Sequence, residues 1–458
     1  EIRVFRLSRR GVFATVPALM RRVNIGMIGG GTVGSGVYHH LRNNGPLLES
    51  RLGLKLGLTK VAVKAFDEPR PYPIEQSLMT TDWATVVNDP KIDIVIELVG
   101  GINLAKTMIL AALKLGKPVI TANKALISAH GQELFAAAAQ YKTNVYYEAS
   151  VAGGIPIIKA LREGFVGNRI TNIYGIVNGT CNYILTRMKL EKTDFEPTLH
   201  EAQRLGYAEA DPSLDIDGFD SEHKIGILAS LAHGFWVDPA KIYVEGIRAI
   251  TRTDIEFAGK LGYTIKLLGV VKAAPSQAKK SKAIQVSVYP ALVPDAHVLA
   301  SVNHVFNAVF VRGDVVGDTL FYGRGAGKDA TASAVLSDIA DAALDIKHGT
   351  CERVPSFVPH DHEASVLPID QVVSRYYLRL NVVDKPGTLA KVAAILAANR
   401  IGISSVIQPE GHEGQSVPLI LMIHDAPNSA MRKALAKISK LPVVKGPPVM
   451  LRVENFDQ

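Results

Sequence analysis

The chain predicts an α/β fold in three parts: a parallel doubly wound sheet, an α+β middle domain and a C-terminal βαββαβ unit. Three observations carry that prediction. A glycine-rich turn at 25–34, IGMIGGGTVG, joins an apolar strand to an amphipathic helical pattern. Short apolar runs then alternate with helical stretches through the strand NVYY at 144–147, the rhythm of a parallel sheet. After a linker rich in Pro, His and acids (350–374), the pattern changes to strand, turn, helix, strand.

Gly29, Gly31 and Gly34 have G-x-G-x-x-G spacing, with Thr32 and Val33 between the last two. The first glycine permits a tight turn, the second lets a pyrophosphate approach the backbone, and the third lets helix and strand pack closely. Phosphates would sit at the helix N-terminus, where free amides and the dipole favour negative charge. The competing reading is a structural glycine turn. VAVKAF (61–66) reads as the second strand and DIVIEL (93–98) as the third. A helix at 103–115, a strand PVITA (118–122) and a helix at 125–140 follow. The expected dinucleotide-binding domain is of Rossmann type and spans 20–155, with a return segment at 322–345. An NAD site places an acid at the end of the second strand, about 20 residues past the glycines. Ala65 stands there. Lys64 and Arg70 suit a 2′-phosphate and Asp67 suits a ribose, so the reading leans to NADP and leaves NAD open.

Two further segments read as loops at the carboxyl ends of strands, where such sheets bind ligands. TANKALIS (121–128) carries Asn123 and Lys124. A cation at a helix start is electrostatically unfavourable, which favours function over a plain surface lysine. In EASVAGGIPII (148–158), Glu148 plus exposed carbonyls suits a monovalent cation; the alternative is a glycine-rich hinge. In the middle domain, 156–321, SKAIQVSVYPALVP (281–294) and the run at 308–327 read as antiparallel strands, and AAPSQAKKSK (273–282) as an exposed turn. A helical stretch at 329–344 returns to the first domain.

GYAEADPSLDIDGFDSEHK (206–224) is the most informative stretch. Glu209, Asp211, Asp215, Asp217 and Asp220 precede Lys224, and Gly206, Pro212 and Gly218 argue for a loop ending at a helix start. Carboxylates there suit a substrate ammonium, and the lysine suits proton exchange with a reacting oxygen. The bland reading is a solvated loop with an i,i+4 ion pair from Asp220 to Lys224.

With these stretches in place, and with NGTCNYIL (178–185) and GRGAGKDATASAVLSDI (323–339), the chain closely resembles the homoserine dehydrogenase family over most of 20–345. The resemblance implies NAD(P)-dependent interconversion of L-aspartate 4-semialdehyde and L-homoserine, and a homodimer or homotetramer. By motif, Lys224 would exchange the proton, with Lys124 beside cofactor and substrate. Glu209 and Asp220 would bind substrate, with Asp215 nearby. Glu148, Val151, Gly153 and Ile155 would match a monovalent-cation loop for Na+ or K+. Gly325 and Gly327 would match a glycine turn that returns to the nucleotide. One departure is Cys181, where the family pattern has threonine. A thiol is a weak hydrogen-bond donor. It raises a rival, a thioester-forming semialdehyde dehydrogenase, which lacks a local Cys–His signature here.

The residues imply a mechanism in which two neighbouring ammonium groups depress each other's proton affinity. A neutral lysine base in the oxidative direction makes activity rise with alkaline pH.

In the C-terminal part, 375–458 after a linker at 346–374, DKPGTLAKVAAIL (384–396) resembles the ACT regulatory domain. That resemblance implies an amino-acid site at Asp384, Pro386 and Gly387, with Asn399 and Ile403 where the next strand begins, and L-threonine as a feedback inhibitor. The other reading is an assembly module without ligand. PLILMIHDA (418–426) reads as a further strand, and Arg432 opens a second helical pattern.

Composition bounds the rest. The 458 residues suit about three domains. No apolar run approaches the roughly 20 residues of a membrane span. Cys181 and Cys351 make no disulfide framework, which points to a reducing cytoplasm. HDHE at 360–363 sits in the linker and reads as solvated rather than metal-binding. Much of the +8 net charge lies in the first 22 residues, where six arginines face Glu1 alone. The body is therefore only modestly basic, against a nucleic-acid partner. The basic, acid-poor residues 1–19 suit a transit peptide or a non-native or misassigned leader; the second reading is preferred, because MRRVNIGMIG from Met20 makes a natural start. A reductase for another amino-acid aldehyde, or a catalytically silent amino-acid sensor, are the alternatives in function.

Overall fold

The computed structural model describes residues 21–273, 283–350, 353–361, 363–412 and 414–456. The leader, most of the 273–282 turn, Cys351 and His362 lie outside them.

The first sheet is all parallel. Its strand order is Met79–Thr80, Lys55–Ala62, Arg22–Ile28, Ile94–Glu97, Val119–Thr121, Val145–Tyr146. Chain order reverses direction at Arg22–Ile28, so a crevice opens between the carboxyl ends of Arg22–Ile28 and Ile94–Glu97. The apolar runs of the four strands Arg22–Ile28, Ile94–Glu97, Val119–Thr121 and Val145–Tyr146 are largely buried, as inner parallel strands require. The second strand departs from expectation: it runs Lys55–Ala62, not 61–66. Its first half, Lys55-Leu56-Gly57-Leu58, is only half-buried, and its two leucines are interrupted by Gly57. Backbone pairing from Arg22↔Lys55 to Ile28↔Ala62 holds it in place, and left-handed Gly53 starts it. The strand therefore ends earlier, which brings Lys64 close behind its end.

Among the described residues the second sheet has eleven strands. Its main path runs Gly317–Arg324, Phe306–Gly313, Ile170–Ile176, Tyr263–Ala273, Ala283–Pro294, Val449–Val453, Val373–Val383, Ser416–Pro427, Ile403–Ile407. The expected antiparallel pair Phe306–Gly313 and Gly317–Arg324 is present. The last four strands, with helices Thr388–Ala398 and Asn428–Ile438, form the βαββαβ unit with its own apolar core. The second of these helices begins at Asn428, four residues before the expected Arg432. The unit continues the middle sheet, because Val449–Val453 lies parallel to Ala283–Pro294 through Ala291↔Arg452 and Leu292↔Val453.

A buried charge pair fastens this join. Asp254 (0 % exposed) accepts both prongs of the Arg379 guanidinium at 2.7 and 3.1 Å, and the Tyr377 hydroxyl at 3.1 Å. It also closes the capping box of the helix Arg252–Lys260 with Thr251. Removing one partner of such a pair leaves a buried charge uncompensated. Asp254→Ala is expected to lower unfolding free energy by about 3–5 kcal/mol, read from a urea denaturation midpoint; an unchanged midpoint would refute this account of the join.

Candidate active site

The glycine turn behaves as its spacing predicts. Gly29 has φ +109°, and a Cβ there would lie 2.6 Å from the Leu98 backbone. A Cβ on Gly34 would lie 1.9 Å from the Gly29 carbonyl oxygen, so strand and helix touch there. Around Gly31, by contrast, a Cβ would meet nothing within 4 Å. Gly31 caps the helix Thr32–Asn43, whose first turn has no acid. That is open space at a helix N-terminus, and it fits a dinucleotide pyrophosphate.

Arg70 reaches over this turn. Its guanidinium donates to the carbonyls of Phe66 (2.9 Å) and Ala65, while its buried Nε has no protein partner. A Cβ on Gly30 would lie 3.5 Å from that Nε. The return helix Lys328–His348 starts at Gly327 (φ +111°) and packs on Thr32–Asn43, with a Gly36 Cβ position 3.0 Å from the Lys328 carbonyl. Gly325 lies against Gly153, where a Cβ would come 2.6 Å from the Gly325 oxygen. Two segments far apart in sequence thus meet beside the nucleotide crevice.

The loop of Glu148 is buried more deeply than expected. The Glu148 carboxylate accepts the backbone amides of Ile158 (2.9 Å) and Lys159 (2.7 Å), while its own amide donates to Asp338 (3.0 Å). Burial pushes its carboxyl up to about 7 against those amide donors. Val151 and Ile155 are likewise buried, so the expected exposed carbonyls are not at the surface.

The acidic stretch is not one loop. Ser213–Ile216 forms a helical turn, and Gly218 (φ +93°) starts the helix Phe219–His233. Asp220 lies in its first turn and Lys224 one turn on, so the expected i,i+4 pair exists, buried rather than solvated. Lys224 Nζ donates to Asp220 Oδ2 at 2.6 Å and to the Val177 carbonyl at 2.7 Å. Lys124 Nζ, at the start of the helix Lys124–Gln140, meets Asp220 Oδ1 at 2.9 Å. Asp220 therefore bridges a lysine from each domain.

Asn178, whose role the motif alone did not reveal, completes the cluster. It donates to Asp220 Oδ2 (2.9 Å) and Asp215 Oδ1 (2.7 Å), and caps the helix Gly179–Glu191. Thr180 donates to the Tyr207 carbonyl at 2.7 Å and to Asp215 at 3.2 Å. His223, also missed, sits among these charges with a buried, unpartnered Nδ1. Glu209 is exposed at the edge.

Burial alone would raise the Asp220 carboxyl, but the Lys224 and Lys124 ammoniums hold it well below the usual carboxylate range. Burial would likewise depress Lys124, yet Asp220, with Asp215 and Glu209, holds it above the ordinary lysine value. The expected mutual depression of two ammoniums does not govern Lys124, because a carboxylate stands between them. Cys181 is fully buried, its thiol near the Asp215 carbonyl (3.2 Å). Burial and the surrounding aspartates raise its thiol well above the usual range, so it supplies no thiolate.

In the C-terminal unit, Asp384 and Gly387 line a cavity of about 400 Å³ with Gln408, whose amide donates to Asp384 at 2.9 Å. Gln408 carried no sequence signal. Asn399 caps the far end of the helix Thr388–Ala398 through Ile395, and Ile403 opens the next strand. One copy of the unit does not bring the two pairs together.

Comparison with known proteins agrees with this geometry. Residues 29–148 match a homoserine dehydrogenase NAD-binding domain model, and 156–340 a homoserine dehydrogenase model. The chain is 42% identical over 440 residues to a homoserine dehydrogenase of Neisseria gonorrhoeae, covering 95% of this chain and 100% of that one. The chain belongs to the homoserine dehydrogenase family. A homoserine dehydrogenase structure from Thiobacillus denitrificans superposes with a TM-score of 0.87 at 41% identity, over 95% of this chain and 99% of that one. A hyperthermophilic archaeal homoserine dehydrogenase in complex with NADPH matches with a TM-score of 0.59 at 27% identity, over 71% and 98%. A homoserine dehydrogenase is an NAD(P)-dependent oxidoreductase, as the glycine turn requires. No helix among the described residues is long and apolar enough to cross a membrane.

Because the Gly34 Cβ position overlaps the Gly29 carbonyl, Gly34→Val is expected to abolish binding of NADP and NAD while the C-terminal unit stays folded. Fluorescence titration with NADPH checks this, and unchanged affinity would contradict it.

Proposed function

We propose that the protein reduces the aldehyde of L-aspartate 4-semialdehyde to L-homoserine, reversibly. The observation that carries this reading is the Lys224–Asp220–Lys124 bridge across the two domains. When bound, the nicotinamide cofactor supplies or accepts the hydride. Lys224 gives a proton to the carbonyl oxygen, and Lys124 stabilises the charge developing there. Glu209 and Asp215 face the substrate ammonium. Asp220, engaged by both lysines and Asn178, touches substrate while orienting the lysines. Asn123 and Thr32, Val33 and the glycines at 29, 31, 34, 325 and 327 hold the cofactor. Lys64 and the partly satisfied Arg70 support a preference for NADP. The backbone carbonyls of Val151, Gly153 and Ile155 would hold Na+ or K+, with the Glu148 carboxylate bracing the loop through the helix that follows.

We also propose that 375–458 is an ACT-type regulatory domain binding L-threonine at Asp384 and Gly387, with Asn399 and Ile403 supplied by a second copy in a homodimer or homotetramer. The domain limits at 20–155, 156–321 and 346–374 and a cytoplasmic setting belong to the same reading.

Lys224→Ala is expected to cut homoserine-dependent NADP reduction by about 10²-fold or more; unaffected turnover would assign the proton elsewhere. In the wild type that oxidation rises with pH, because the lysine must be neutral to act as base. L-threonine is expected to inhibit the wild type but not Asp384→Ala. If threonine neither inhibits nor stabilises the wild type, the unit has an assembly role.

A further inference from the structure

Glu97 breaks the apolar pattern of the buried strand Ile94–Glu97. It is 0 % exposed and stands at the carboxyl end of that strand, between Ile28 and Thr121 of the flanking strands. Buried carboxylates are costly unless hydrogen-bonded, and both oxygens of this one are. Its Oε1 accepts the amides of Val99 (2.8 Å) and Gly100 (3.3 Å), and its Oε2 accepts the Thr121 hydroxyl (2.7 Å). The Thr121 oxygen in turn accepts the Asn123 amide at 3.0 Å. Asn123 donates through its side chain to the Gly101 carbonyl (2.6 Å) and accepts the Leu126 amide (3.1 Å), capping the helix that begins with Lys124. Gly100 and Gly101, at φ +75° and +71°, let the loop fold back to meet Asn123.

These bonds close a ring: Glu97 to Thr121, Thr121 to Asn123, Asn123 to Gly101, and the loop back to Glu97. Burial raises the Glu97 carboxyl against the Val99, Gly100 and Thr121 donors. A proton or an amide at Oε2 would require the Thr121 hydroxyl to reverse from donor to acceptor, which changes its bond with the Asn123 amide.

We propose that Glu97 is a positioning residue: through Thr121 and Asn123 it fixes the start of the helix Lys124–Gln140 and so holds the Lys124 ammonium on Asp220. The role of Lys124 in the reaction rests on the function proposed above; its placement does not.

Two readouts separate these claims. The first needs neither cofactor nor substrate. In the free enzyme, Lys124 is acylated with acetic anhydride and quantified by peptide mass spectrometry. Glu97→Gln is expected to label Lys124 faster by about tenfold, the neutral-amine gain from one unit of lost lysine pKa. Labelling of exposed Lys142 serves as an internal standard. Thr121→Val should give the same gain, and Thr121→Ser should return the wild-type rate. Unchanged Lys124 labelling in a folded Glu97→Gln, or in Thr121→Val if Glu97→Gln does not fold, overturns the positioning role.

The second readout is a double-mutant cycle in kcat for homoserine oxidation. Glu97→Gln is expected to cost about tenfold in the wild type but little in a Lys124→Met background. Where Lys124→Met is itself slow, equal cost of Glu97→Gln in both backgrounds means that Glu97 does not act through Lys124 and overturns the inference. Faster labelling with a fully active Lys124→Met would sink the catalytic role of Lys124 and leave the positioning role standing.

Discussion

The site depends on one buried carboxylate placed between two ammoniums. Asp220 accepts Lys224 from its own helix, Lys124 from the nucleotide-binding domain and Asn178 from the start of the helix Gly179–Glu191. An anion in such a setting is stable only because each oxygen is hydrogen-bonded to a donor, most of them charged. The bridge joins the two domains at this point and holds both lysine ammoniums on one anion. It also determines their electrostatics, since a shared anion replaces the direct repulsion of two cations.

The rest of the architecture delivers these groups to one place. The parallel sheet brings Gly29, Glu97 and Asn123 to its carboxyl edge, because all of its strands point the same way. The return helix Lys328–His348 lies on the first helix, and its glycine start meets Gly153. On the other side, Ile247 donates to Ile216 at 2.8 Å, and Arg248 holds Asp217 and Ser213, so the acidic segment is braced from the middle domain. The C-terminal unit is no loose appendage. Its last strand continues the middle sheet, and Arg452 contacts Glu245, close in sequence to Arg248.

Most of this is legible in the periodicity and glycine spacing of the sequence. The glycine turn, the alternation of strands and helices, and the terminal βαββαβ unit follow from local pattern, which physical packing then enforces. What stayed hidden has a common cause. The strand Lys55–Ala62 is held by backbone pairing, and the leucines of its half-buried first half are interrupted by Gly57. The Asp220 segment reads as a loop because its glycines and proline mask a helix start at Gly218. Asn178, Thr180, His223 and Gln408 are polar residues whose roles come from partners distant in sequence. Glu97 looked like the end of an apolar strand, and only the ring of donors around it explains a charge there.

The most direct test of the bridge is acylation of Lys124 by acetic anhydride across pH in Asp220→Asn beside the wild type, read by peptide mass spectrometry. Asp220 holds the Lys124 ammonium above the ordinary lysine value, so removing the anion lowers its proton affinity. The pH at which Lys124 becomes reactive should therefore fall by about a unit or more. An unchanged pH of reaction, or one moved higher, would contradict the claim that Asp220 governs the charge of Lys124.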